Sequence, residues 1–198
     1  TQIYILNQDS PFIINSITSL IGDLGYQIDL IVHPVLTVDR HEDGSLIDIY
    51  SYDKDKKHES FVYISLNNKL SPNQIKNLNT ALLEMFADLV KVVRDWEKMK
   101  ALSDELSRDS SVEPFLNWIE DHHFTFLGIR DYELLHKGDE TILQAIPGTG
   151  FGLLREELSK SNARSISAMA PEARELTLSS RILVTSKTNT KALVHRDA

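Results

Sequence analysis

Asn7-Gln8-Asp9-Ser10-Pro11-Phe12-Ile13-Ile14-Asn15-Ser16-Ile17 is the stretch on which the fold turns. Ahead of it, Ile3, Tyr4, Ile5 and Leu6 favour an extended strand. The polar run from Asn7 to Ser10 breaks that strand. Ser10 is placed to cap a helix, and Pro11 suits the first helical position, where its missing N–H leaves nothing unpaired. Ile13, Ile17, Leu20, Ile21 and Leu24 then recur at helical spacing, and Gly25 is positioned to end the helix. The reading is a strand, a tight turn and an amphipathic helix.

Beyond Gly25 the apolar period changes to two. Ile28, Leu30, Val32, Pro34, Leu36 and Val38 share one face of a predicted strand over 27–39, with Pro34 hinting at an edge or a bulge. His41-Glu42-Asp43-Gly44 predicts a hairpin turn, because Asp-Gly readily supplies positive φ. Strands follow at 46–51 and 59–66. Ser71-Pro72 opens a second helix, whose apolar positions Ile75, Leu78, Leu82, Met85, Leu89, Val92, Trp96 and Met99 alternate by three and four. Leu83, Phe86, Val90 and Val93 widen that stripe. Extended to about residue 106, the helix is roughly 50 Å long at 1.5 Å per residue, whereas a small sheet is only about 20 Å across. Its second half therefore leaves the first sheet for another domain or another subunit, with Val92, Trp96, Met99 and Leu102 as interface candidates.

A domain boundary is expected near Arg108-Asp109-Ser110-Ser111, dividing the chain into 1–107 and 108–198. The second part predicts a short helix over 112–121, a long strand over 123–135, a turn at 137–139 and a return strand over 141–146. A glycine loop, Pro147-Gly148-Thr149-Gly150-Phe151-Gly152, comes next. A helix capped near Pro171 and a strand over 181–186 complete it. The sequence leaves open whether this domain is complete at Ala198. The start at Thr1, without Met or a basic leader, reads as a cut from a longer chain.

Composition removes several function classes. There is no cysteine, so disulfides, thiolate nucleophiles and Cys-based metal sites are out, which fits a cytoplasmic setting without establishing it. A formal charge of −8 opposes nucleic-acid binding. Lys54-Asp55-Lys56-Lys57, the one cationic cluster, reads as a solvated turn. No apolar run approaches the roughly 20 residues that span a bilayer, so no membrane partner is expected. The glycine loop has neither the phosphate-loop nor the dinucleotide spacing. Adjacent His122 and His123 diverge, no His-x-x-x-His pair exists, and His33 reads as an ordinary hydrogen-bonded residue, so no metal site is expected. No Gly-x-Ser-x-Gly elbow is present, and we expect no catalytic or cofactor-binding residue in this chain.

Strand, helix, strand, strand, helix is the order of a ferredoxin-like α+β fold, with two helices covering one face of an antiparallel sheet. Small-molecule-sensing ACT domains share that plan. Particular residues go further. The blocks 9–17, Val32-His33-Pro34-Val35-Leu36 and Trp96-Glu97-Lys98-Met99 resemble the N-terminal region of the large bacterial-type NAD-specific glutamate dehydrogenases. So do His122 through Tyr132, Pro147 through Arg155, and Thr185-Ser186-Lys187 through Val194-His195-Arg196, all in that family's order.

The resemblance implies a regulatory and oligomerisation segment: an ACT-like domain followed by a PAS-like one. The catalytic lysine and the NAD-binding domain would lie further along the same polypeptide. The whole enzyme would convert L-glutamate, NAD and water to 2-oxoglutarate, ammonia and NADH as a cytoplasmic homo-oligomer. The partners implied are further copies of the chain and its own C-terminal catalytic part. By ACT analogy an amino-acid effector would meet the first turn, with Asn7, Asp9 and Ser10 as contacts. The chain departs from the ACT pattern at Phe12, where glycine is usual. A stand-alone amino-acid sensor or an interaction scaffold are the alternatives.

Overall fold

The computed structural model describes residues 1–51, 53–137, 140–155, 163–166 and 170–179. They form two compact units, one of residues 1–89 and one beginning at Val90. The change falls inside a helix rather than at the polar stretch near residue 108 to which the sequence points. Strand 181–186 of the sequence reading lies outside the described residues.

The first unit runs β1 (Gln2–Gln8), α1 (Ile13–Asp23), β2 (Ile28–Val32), β3 (Val35–Arg40), β4 (Leu46–Tyr50), β5 (His58–Leu66) and then α2 (Pro72–Leu106), which enters the second unit. It is an α+β architecture around an antiparallel five-stranded sheet of order β1-β5-β3-β4, with β2 also on β5. The expected single strand over 27–39 is broken at His33-Pro34. Proline has no N–H for the ladder and a fixed φ, so β2 and β3 meet β5 as two segments. The ladder still crosses the break, because Phe61 N–H donates to the Pro34 carbonyl at 3.1 Å.

Alternation along β5 sets the layers. Ser60, Val62, Ile64 and Leu66 are buried while Phe61 and Tyr63 are half-exposed. The core of this unit joins Val62 and Ile64 to Ile13, Ile17, Leu20 and Ile21 of α1 and to Leu78, Leu82, Met85 and Leu89 of α2. The opposite face stays open: Tyr4 is 63% and Leu6 53% exposed, opposite Tyr63 and Phe61 in register. Leu83 and Val90, read as part of the buried stripe of α2, are exposed, so that stripe is narrower than its apolar content.

Ser71 and Gln74 form a reciprocal cap on α2: Gln74 N–H donates to Ser71 Oγ and Ser71 N–H to Gln74 Oε1. α1 differs from expectation. It begins at Ile13, with Phe12 as the N-cap residue in the left-handed region (φ 68°), and no side chain caps it. Ser10 is two residues too early for the role the sequence suggests.

The second unit takes the rest of α2, then α3 (Glu113–Trp118) and a π-helical turn (Ile119–His123). β6 (Gly128–Ile129) pairs β9 (Phe151–Gly152), while β7 (Tyr132–Lys137), β8 (Glu140–Ala145) and β10 (Ala163–Ser165) make a second antiparallel sheet, followed by α4 (Pro171–Ser179). The expected strand over 123–135 is thus two strands in different sheets, interrupted at Arg130-Asp131. Among the described residues no helix is long and apolar enough to cross a membrane.

Candidate functional site

β1 pairs along its whole length with β5, which places Asn7 opposite Ser60. At the strand's end Asp9 N–H donates to the His58 carbonyl at 2.9 Å. The fully buried Ser60 hydroxyl donates to Asp9 Oδ1 at 2.5 Å and lies 3.0 Å from His33 Nε2. A serine has one proton to give. Since Asp9 receives it, His33 Nε2 carries its own proton and donates to Ser60 Oγ. The chain of bonds His33–Ser60–Asp9 ties the β2–β3 break to the turn before α1.

Of the three effector candidates, then, Asp9 has one carboxylate oxygen already occupied, Asn7 sits in the strand ladder, and Ser10 caps nothing. The first N–H groups of α1 have no intrahelical acceptor and favour an anion there. Phe12 brings a side chain, rather than bare backbone, to that turn. His33 and Ser60 are the residues that sequence reasoning did not connect. The signal available was that Val32-His33-Pro34 interrupts a strand, where a polar side chain finds non-ladder partners.

The second polar centre is built on α2. Asp95 is fully buried and accepts hydrogen bonds from Gly152 N–H at 2.9 Å, Arg155 Nε at 2.5 Å and Arg155 Nη2 at 2.5 Å. The Arg155 guanidinium, aided by the Gly152 N–H, holds the Asp95 carboxyl below the usual carboxylate range against the opposing effect of burial. The glycine loop wraps this carboxylate closely. A Cβ at Gly152 would stand 2.3 Å from the Leu127 carbonyl oxygen, and one at Gly150 would stand 2.3 Å from that of Leu154. These glycines serve backbone packing. The Gly152 N–H is already given to the Asp95 carboxylate.

Among the interface candidates, Val92 and Met99 are fully buried, while Trp96 and Leu102 are half-buried. Trp96 lies 6.4 Å from the Phe126 ring, within the second unit. Lys56, in the expected solvated turn, donates to Asp39 Oδ2 at 2.9 Å and lies 3.5 Å from the Tyr50 ring centroid. Among the described residues no group of three His, Asp or Glu side chains is placed to hold a metal ion.

Residues 1–82 match the family model described as glutamate dehydrogenase, ACT1 domain. The chain is 29% identical over 155 residues to an NAD-specific glutamate dehydrogenase of Pseudomonas aeruginosa, covering 70% of this chain and 10% of that protein. It is 24% identical over 213 residues to one from Halomonas elongata, covering 99% of this chain and 13% of that protein. The chain therefore spans only about a tenth of the length of these curated relatives. No solved structure matches it. The chain is thus similar to the glutamate dehydrogenase ACT1 domain over residues 1–82 and, over most of its length, to NAD-specific glutamate dehydrogenases.

Proposed function

We propose that this chain is an N-terminal regulatory and assembly segment of an NAD-dependent glutamate dehydrogenase, with catalysis carried elsewhere on the same polypeptide. The observation that carries the reading is the ACT1 match over residues 1–82 in a chain related to enzymes roughly ten times its aligned length. In the full-length protein NAD would be reduced as L-glutamate is deaminated. The segment after α2 would be the PAS-like domain, and the whole a cytoplasmic homo-oligomer. Incubating the purified 198-residue chain with glutamate and NAD should yield no NADH. Measurable turnover sinks the proposal.

A second reading, an amino-acid sensor at the β1–α1 turn, is favoured by the N-terminus of α1, whose dipole attracts an anion. Phe12 and the engaged Asp9 weigh toward a structural turn instead. Calorimetric titration with a panel of amino acids separates the two. Silence across the panel supports the assembly role, and heat from one amino acid supports the sensor.

A further inference from the structure

We infer that the aromatic ledge made by Phe115, Trp118 and Phe124 in the second unit is a docking surface for a positively charged, amphipathic protein segment. α3 and the π-turn are anchored from the inner side by Leu116 and Ile119, which are 2% and 6% exposed. The outer side presents Phe115, Trp118 and Phe124, each 41–46% exposed, so these rings are not needed to hold the helix down. Single exposed aromatics are ordinary on a protein surface. Three linked through Trp118 are a patch.

The rings are also fixed. Trp118 stacks on Phe115 (6.3 Å between centroids, 24° between planes) and meets Phe124 at 5.5 Å. His123 lies against Trp118 at 4.6 Å and 23°, and its Nδ1–H donates to the Trp118 carbonyl at 2.8 Å. A nitrogen facing a carbonyl must carry the proton. The wide π-helical turn lets His123 fold back over the indole, and such turns recur at functional sites. A surface whose rotamers are already set loses little entropy when a partner lands on it.

Charge selects the partner. Between residues 104 and 121 the chain carries Asp104, Glu105, Asp109, Glu113, Glu120 and Asp121 against the single cation Arg108. Exposed aromatic rings attract cations through their faces, and the carboxylates close to them in sequence add long-range attraction. That combination repels nucleic acid and anionic lipid. It suits a protein segment that alternates Arg or Lys with apolar anchors.

The test titrates the 198-residue chain by calorimetry with a short peptide of alternating arginine and leucine, and with the same peptide carrying glutamate for arginine. The arginine peptide should bind and the glutamate peptide should not. Trp118→Ala and Phe115→Ser should each weaken binding about tenfold or more. The double change Glu113→Gln, Asp121→Asn keeps the rings and should weaken binding several-fold, an effect that fades at high salt. Circular dichroism checks the fold. If Trp118→Ala unfolds the unit, Phe115→Ser and the acid pair decide. Absence of binding, equal binding of the glutamate peptide, or unchanged affinity in the folded aromatic variants overturns the inference.

Discussion

Asp95 and Arg155 meet as a two-point pair, Nε on Oδ2 and Nη2 on Oδ1, each at 2.5 Å, with the carboxylate sealed from solvent. Sixty positions separate them in sequence. The pair therefore closes the second unit around the glycine loop rather than decorating its surface.

Removing Arg155 leaves the Asp95 charge buried, whereas the Arg155 side chain is 25% exposed and keeps part of its hydration when Asp95 is removed. Arg155→Ala should lower the stability of the second unit by about 3–5 kcal/mol and Asp95→Ala by less, read by denaturant unfolding. The pH dependence has a definite sign. The Asp95 carboxyl is depressed in the fold, so its contribution is present above the unfolded value of about 3.9 and is lost as pH falls toward the lower folded value. The wild-type unit should weaken on acidification below about pH 4, and Asp95→Asn should lose that part of the dependence. Equal acid sensitivity in both proteins counts against the pair.

Much of the first unit is legible from spacing, because its chemistry is local. Ile13, Ile17, Leu20 and Ile21 are buried as their period implies, and Gly44 takes the positive φ expected of the Asp-Gly turn. The sequence reading of α2 continues from Val92 to Trp96 and Met99. The fully buried line instead runs Val92, Asp95, Met99 and Ser103, also at steps of three and four. An apolar period lends no weight to Asp95 or Ser103, since hydrophobic reading skips polar residues. Their partners, Arg155 and Glu120, lie in other elements. An acid falling on an apolar stripe is the readable signal for a buried ion pair. Which cation answers it is a tertiary fact that spacing does not contain.

Gly152 and Gly148 both hold positive φ, yet their surroundings differ. A Cβ at Gly148 meets open space, so Gly148→Ala should cost only the left-handed penalty of about 1–2 kcal/mol. At Gly152 the same penalty is joined by contact with the Leu127 carbonyl and the Met99 sulfur. Gly152→Ala should cost about 2–5 kcal/mol, combining strain with overpacking. Thermal unfolding of the two variants side by side checks the order. A Gly148 variant that is the less stable of the two refutes it.

Phe12 offers a reversal of the usual residue ranking. Glycine is ordinarily less stabilising than alanine by about 0.5–1 kcal/mol inside regular structure. At φ 68° the preference inverts, because alanine retains the strain that glycine relieves. Phe12→Gly should therefore be more stable than Phe12→Ala by about 1 kcal/mol, although both lose the half-buried ring. Equal midpoints in urea would mean the turn relaxes out of the left-handed region.

Ser60 is the hinge of the His33–Ser60–Asp9 chain, and its removal strands a donor on one side and an acceptor on the other. Ser60→Ala should cost about 1–3 kcal/mol. Adding His33→Ala to Ser60→Ala should cost less than the sum of the single changes, since each removes the same bond. Strict additivity in the double-mutant cycle would show that the 3.0 Å contact carries no energy.

Asp48 guards the edge of the first sheet. β4 exposes all five of its residues, including Leu46, Ile47, Ile49 and Tyr50, and among the described residues it has β3 on one side only. An apolar edge of that kind invites another strand. The Asp48 carboxylate occupies the Ile49 N–H at 2.8 Å and sets a negative charge at the centre of the strand, directly opposite Asp39. Asp48→Val removes both obstacles and leaves a β-branched residue that favours pairing. Sedimentation of Asp48→Val should show self-association rising with concentration where the wild type shows less. Asp48→Asn separates the causes, because its amide oxygen can still accept from Ile49 while the charge is gone. If Asp48→Asn sediments like the wild type, the hydrogen bond protects the edge. If it associates like Asp48→Val, charge does. Identical sedimentation of all three proteins refutes the guarding role.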